Sequence, residues 1–237
     1  MATMRLNKFI SDCGVTSRRK AEELILQGRL SVNDKIVMEL SQKIDTEKDI
    51  VLLDGEKLRP KRHVYFLLNK PKGVVTTTDD EKNRKTVIDL IKTKEKIFPV
   101  GRLDYDTTGV LILTNDGEFS NMLTHPKNNI PREYEVKLDK PLTDDDKEKL
   151  CTGVYIKGKK GKFIKAVFSN KKDKKHVIVT AVEGRNHFVK NMFGALSYTV
   201  IALNRKSFAG IVCNIPVGMH RVLTREEISG VIQNYGN

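Results

Sequence analysis

Apolar residues recur at helical spacing over Leu6, Phe9, Ile10 and Cys13, which predicts a short helix that Gly14 can close. Thr16 or Ser17 then offers an N-cap. Ala21, Leu24 and Ile25 line one face of a second helix that Gly28 can end. Leu30-Ser31-Val32 and Ile36-Val37 flank Asn33-Asp34, a hairpin turn, and Ile50 to Leu53 forms a strand before the turn Asp54-Gly55. Leu58-Arg59-Pro60-Lys61-Arg62 reads as a short basic linker. From His63 to Leu68 a strand-rich region begins, with further strands expected at 97–100, 109–114, 132–138, 162–169 and 176–182. Thr86, Thr143 and Thr224 each stand three residues before Asp89, Asp146 and Glu227, the spacing of a capping box. Val189, Met192, Phe193 and Leu196 mark a helix near 186–196. Strands interleaved with a few short helices predict an α+β fold. The chain is expected to divide into a small N-terminal unit, 1–60, and a domain built on a mixed, mainly antiparallel sheet with flanking helices, 61–237.

Charge changes the picture of what this fold meets. The chain carries a formal net charge of +13, a field that attracts polyanions. The stretch from 157 to 175 holds nine Lys against one Asp. Phe163, Ile164, Val167 and Phe168 interrupt it, so it reads as a basic face on β structure, with Lys171, Lys172, Lys174 and Lys175 at its end. Arg18, Arg19 and Lys20 occupy the first turn of the second helix, where the helix dipole disfavours cations. Binding of phosphate beside the free helix N–H groups would explain that placement; three solvated side chains would be the plain alternative. The chain has no Trp, which for a polyanion partner favours recognition of backbone and shape over stacking on an aromatic platform.

Other classes recede. No run approaches the roughly 18 apolar residues of a membrane helix, and Met1-Ala2-Thr3-Met4-Arg5-Leu6 lacks the apolar core of a signal peptide. A cytoplasmic protein is expected. Cys13, Cys151 and Cys213 are odd in number, far apart and without a Cys-x-x-Cys pair, so neither a disulfide framework nor a structural zinc site is expected.

The densest polar cluster between two apolar strands is Gly101-Arg102-Leu103-Asp104-Tyr105-Asp106-Thr107-Thr108-Gly109. In extended backbone Arg102, Asp104 and Asp106 share one face. An arginine beside a carboxylate keeps it ionised, as a nucleophile or base requires. Two close carboxylates also fit a magnesium or glycosidase-like site, and a surface turn with ion pairs fits equally.

The segment from Gly101 to Gly117, ending Val110-Leu111-Ile112-Leu113-Thr114-Asn115-Asp116-Gly117, resembles the signature of the RsuA/RluB-type ribosomal-RNA pseudouridine synthases. Leu68-Asn69-Lys70-Pro71-Lys72-Gly73-Val74 is similar to the Lys-Pro-x-Gly segment of that family. Thr124-His125-Pro126 and Arg132-Glu133-Tyr134-Glu135-Val136 are similar to its His-Pro and Lys-x-Tyr-x-Val elements. Glu183-Gly184-Arg185-Asn186-His187-Phe188-Val189-Lys190-Asn191-Met192-Phe193 is similar to its third motif, and residues 4 to about 58 resemble its small RNA-binding α-L domain.

The resemblance implies isomerisation of uridine to pseudouridine in ribosomal RNA, of the large subunit rather than the small, by a monomer with no cofactor and no metal. It implies Asp104 as the carboxylate that forms a transient adduct, Tyr134 as the aromatic that stacks on the target base, and Lys190 as the partner of the carboxylate. Arg102 then lies near the flipped nucleotide, and Lys70 and Pro71 shape the floor. Lys70, Arg185 and His187 join the basic residues above as expected RNA contacts, on free ribosomal RNA or on pre-ribosomal particles. Phe188 stands where the family usually has Gln, and Asn191 where Arg is common, so the RNA contacts beside Lys190 are expected to differ. The rival readings are a non-catalytic RNA-binding ribosome-assembly factor, the same chemistry on transfer RNA, and a metal-dependent nuclease using Asp104 and Asp106.

Overall fold

The computed structural model describes residues 3–170 and 172–236. The chain forms two compact units, with the boundary after Val64 and with residues 94–96 and 115–117 joining the first. The basic segment expected as a linker belongs to that first unit. Leu58 packs on its core, and the Lys61 amide donates to the Asp12 carbonyl.

The first unit holds β1 (Thr3–Arg5), α1 (Leu6–Asp12), α2 (Arg18–Leu26), β2 (Leu30–Val32), β3 (Lys35–Ile36), β4 (Lys43–Asp45), β5 (Val51–Leu53) and β6 (Glu56–Lys57). Leu6, Phe9, Ile10, Ala21 and Ile25 are buried together with Leu30, Val32, Ile44 and Val51, so the two helices cover the strands with the faces their spacing predicted. Ser17 caps α2 by accepting from the Lys20 amide. Asn33 and Asp34 both have positive φ, the geometry of a tight two-residue hairpin that Asn and Asp tolerate.

The second unit holds β7 (Tyr65–Lys70), β8 (Phe98–Pro99), β9 (Thr108–Thr114), α3 (Gly117–Thr124), β10 (Arg132–Leu138), α4 (Asp144–Thr152), β11 (Val154–Ile156), β12 (Lys159–Gly161), β13 (Lys165–Asn170), β14 (Asp173–Ala181), α5 (Phe188–Gly194), β15 (Val200–Phe208), β16 (Ile211–Val212), β17 (His220–Val222) and α6 (Arg225–Tyr235). The sheet runs β13-β14-β10-β15-β9-β7-β17, with β16 on β15 and β8 on β9. Its pairings are antiparallel except where β9 meets β15. The sheet is therefore mixed, two antiparallel halves joined along one parallel seam. Val110, Leu111, Ile112 and Leu113 are fully buried, as expected of a central strand covered on both faces. In β10 the alternation is strict, with Arg132, Tyr134, Val136 and Leu138 inward.

Three expectations change. The Thr86 box opens only one turn of 3₁₀ helix, Ile88–Leu90: the Thr86 amide and hydroxyl both donate to Asp89, and the cap position falls on Val87. Thr224 and Glu227 form the complete reciprocal box. The helix expected near 186–196 is shorter, because His187 sits in left-handed backbone and cannot extend it backwards. Helix α3 was not anticipated: Phe119 and Leu123 alone are too few apolar repeats to signal it. Among the described residues no helix is long and apolar enough to cross a membrane.

Candidate active site

The segment 101–107 is not extended. Leu103 is buried, and its carbonyl accepts from the Thr76 hydroxyl at 2.7 Å. The chain then turns, with the Thr107 amide donating to the Asp104 carbonyl at 3.1 Å. Asp104 and Asp106 come together through this turn rather than through strand alternation.

Lys70 holds the turn from behind. It is 0% exposed, and its ammonium donates to the carbonyls of Pro71 at 3.0 Å, Asp104 at 3.1 Å, Thr107 at 3.1 Å and Tyr105 at 3.5 Å. Burial pulls this ammonium down to about 8, against the opposing pull of Asp106 and Asp104. The expectation that Lys70 touches RNA is thus corrected: a side chain sealed from solvent, with four backbone acceptors, fixes the loop and has no free face.

The opposite wall is the first turn of α5. Lys190 Nζ donates to Asp106 at 2.7 and 2.9 Å and lies 3.3 Å from Asp104 Oδ2. His187 Nε2 lies 3.4 Å from Asp104 Oδ1. The Asp104 side chain is 28% exposed and that of Asp106 65%, so Asp104 is the inner carboxylate. The Lys190 hydrogen bond holds the Asp106 carboxyl below its ordinary value. Burial opposes the charge on Lys190, but the hydrogen bond to Asp106 and the charge of Asp104 outweigh it and raise its pKa. The cation that faces Asp104 is therefore Lys190, with His187 beside it, and not Arg102. Arg102 is exposed at the rim, and no ion pair joins it to Asp104 among the described residues.

These walls enclose a cleft of about 150 Å³. Its floor is the sheet: Tyr134 and Arg132 from β10, and Leu203, Arg205 and Phe208 from β15. The site lies at the parallel seam, where Arg205 pairs with Gly109 on one side and with Tyr134 on the other. A carboxylate that faces a lysine ammonium and an imidazole over an aromatic floor is placed to attack an electrophilic carbon. Lys190 lies between the two aspartates, the place a bridging cation would take. No group of three or more His, Cys, Asp or Glu residues suited to a metal occurs among the described residues.

A model of the RNA pseudouridylate synthase family matches residues 64–195, more than half of the chain and all of the cleft except its β15 floor. The chain belongs to this family. An S4 domain model matches residues 4–51. Ribosomal large subunit pseudouridine synthase B of Bacillus subtilis is 42% identical over 229 residues, covering 94% of this chain and 93% of the relative. The dual-specificity RNA pseudouridine synthase RluF of Salmonella typhi is 35% identical over 229 residues, covering 94% of this chain and 77% of the relative. A solved pseudouridylate synthase structure superposes with a TM-score of 0.69 at 32% identity and covers 96% of this chain and 99% of that one.

Other residues singled out in this pseudouridine synthase fall in different places. Arg185 is tied to Glu183 at 2.6 Å and lies over the Phe188 ring at 5.2 Å. Phe188 is buried edge-on against Phe163, so the departure from Gln fills an aromatic cluster. Asn191 donates to the Asn186 carbonyl and steadies the loop before α5. Arg18, Arg19 and Lys20 are exposed on α2. Lys172 is exposed. Lys174 pairs with Asp144 at 2.6 Å and covers the Phe168 ring. Lys175 is half-buried, and Lys171 lies outside the described residues. Sequence reasoning missed Arg205. Its signal was a charge in the inward phase of an apolar strand, in step with Leu203.

Proposed function

We propose that this chain isomerises uridine to pseudouridine in large-subunit ribosomal RNA, with Asp104 as the nucleophile. The observation that carries the reading is the inner carboxylate held between Lys190 and His187 at the edge of a cleft floored by Tyr134. The relative named for the large ribosomal subunit supports the choice of RNA. A target nucleotide inside a helix would have to flip to bring its sugar–base bond to Asp104. Tyr134 then offers a ring face to the base, and Arg102 and Arg185 stand at the rim for the flanking backbone. The N-terminal unit, 1–64, binds structured RNA through Arg18, Arg19 and Lys20, and Lys172 and Lys175 add to the basic surface. The reaction exchanges one bond of the base for another and needs neither an oxidant nor a cofactor.

The test is conversion of uridine in a large-subunit ribosomal RNA transcript, read by pseudouridine mapping. Asp104→Asn is expected to abolish conversion while RNA affinity stays within about twofold, because Lys190 remains paired with Asp106. RNA binding by the wild-type chain without conversion of any ribosomal or transfer RNA would leave a binding factor. Strand cleavage stopped by a chelator would instead identify a nuclease.

A further inference from the structure

Arg205 is 2% exposed. Its Nε donates to the Val110 carbonyl at 2.7 Å, and its guanidinium lies 4.7 Å from the centre of the Phe208 ring. Two sides of the group are thus fixed. Its Nη2 is buried without a hydrogen-bond partner among the described residues. Arg132 lies over the same ring at 4.9 Å and gives its own N–H groups to the carbonyls of Ile130, Val182 and Leu123. No carboxylate neutralises either arginine among the described residues. Burial lowers the pKa of Arg205, opposed by Tyr134, yet an arginine starts so far above neutrality that it keeps its charge.

A buried cation with an unused donor is costly and calls for a reason. Stapling β15 to β9 is one, and the Val110 bond does that. It leaves the free Nη2 and the charge unexplained. Arg205 lines the cleft, so an occupant with electron-rich oxygens that reached its guanidinium would satisfy them. A phosphate fits poorly, since it would leave water entirely, and basic groups at the rim already suit it. A flipped base is the group that would reach the floor.

Building on the proposed uridine isomerisation, we propose that Arg205 is a further catalytic residue: it donates to a carbonyl oxygen of the flipped uracil and stabilises the charge the base carries while detached. In the detachment step a bond forms between ribose C1′ and an Asp104 oxygen. The C1′–N1 bond breaks, and its electron pair leaves on uracil. The base is then a monoanion with charge shared among N1, O2 and O4. On return, C5 bonds to C1′ and the carboxylate leaves with its pair. Loss of the C5 proton and gain of one at N1 complete the product. A preorganised donor in a water-poor cleft acts most strongly on the state in which charge has developed.

The experiment measures single-turnover rates at saturating RNA, RNA affinity and thermal unfolding for wild type, Arg205→Met, Arg205→Gln and Arg205→Lys. Each is assayed on a uridine transcript and on the same transcript with 5-fluorouridine, followed as consumption of the target nucleoside. Fluorine withdraws electrons and stabilises the leaving base by itself. The neutral variants are expected to lose about 10²–10³-fold on uridine but less than about tenfold on 5-fluorouridine, with RNA affinity unchanged; Arg205→Lys should recover most of the rate. Equal losses on the two RNAs, or no recovery with lysine, would overturn the proposal and leave Arg205 a staple. If Arg205→Met and Arg205→Gln fail to fold, Arg205→His decides on the same two RNAs: a loss on uridine at least about tenfold greater than on 5-fluorouridine supports the role, and equal losses refute it. A wild-type chain that consumes neither nucleoside fails the underlying enzyme reading instead.

Discussion

A lysine sealed from water must find its hydrogen bonds inside the protein, and Lys70 finds them in four backbone carbonyls around the turn that bears Asp104. Its pKa, lowered to about 8 by burial, has a consequence for stability. Between pH 8 and the ordinary lysine value near 10.4, the unfolded chain holds a proton on this residue that the folded chain has released. Stability therefore gains from this group as pH rises through that window. Relative to Lys70→Met, the wild type should become progressively more stable from pH 8 to pH 10 in urea unfolding; a constant difference would show that Lys70 stays charged. The same variant should lose activity at every pH, because the turn loses its anchor. Lys70 was legible as chemistry but not as a buried group: Lys70-Pro71-Lys72-Gly73 reads as an exposed turn until β7 and the loop from Leu103 to Thr107 close around it. The pairing of Lys174 with Asp144 was not legible either, because the two are distant in sequence.

The parallel seam between β9 and β15 joins the carboxylate turn to the floor of the cleft, and Gly109 makes it possible. Gly109 has φ +107, and a Cβ there would overlap the Arg205 backbone, whose amide nitrogen would stand 2.7 Å away. Backbone strain and steric overlap each cost about 1–3 kcal/mol. Gly109→Ala should therefore destabilise the protein by about 4 kcal/mol in urea unfolding, or abolish soluble expression; a loss below about 1 kcal/mol would mean that the strands can part without cost. Strands β7, β9, β10, β13 and β14 were legible because their apolar runs and alternation are local. The seam was not, because pairing partners carry no local sign, and nothing in β15 announces that it lies between β10 and β9.

The net charge of +13 belongs to the molecule as a whole and sets how it meets a polyanion. Each phosphate neutralised releases counterions, so affinity should fall linearly on logarithmic axes as salt rises. Replacing Arg18, Arg19 and Lys20 by Gln should reduce that slope by about 2–3, at about 0.7–0.9 per phosphate contact, with little change in rate at saturating RNA. Lys174→Gln should leave the slope unchanged, because Asp144 already neutralises it. An unaltered slope in the triple variant would place the RNA on another face. The sequence by itself determined the α+β class, the helices and hairpins of the N-terminal unit, and the family, because periodicity, turn chemistry and contiguous motifs are properties of neighbouring residues. Only the tertiary structure showed that Lys190, which the resemblance names as the partner of Asp104, also pairs with Asp106. Lys190 and Asp106 are 84 residues apart, and strand order brings them together. It also turned Lys70 inward, and it set Arg205 as an uncompensated charge beneath the cleft, since burial is a property of the assembled sheet and not of any one strand.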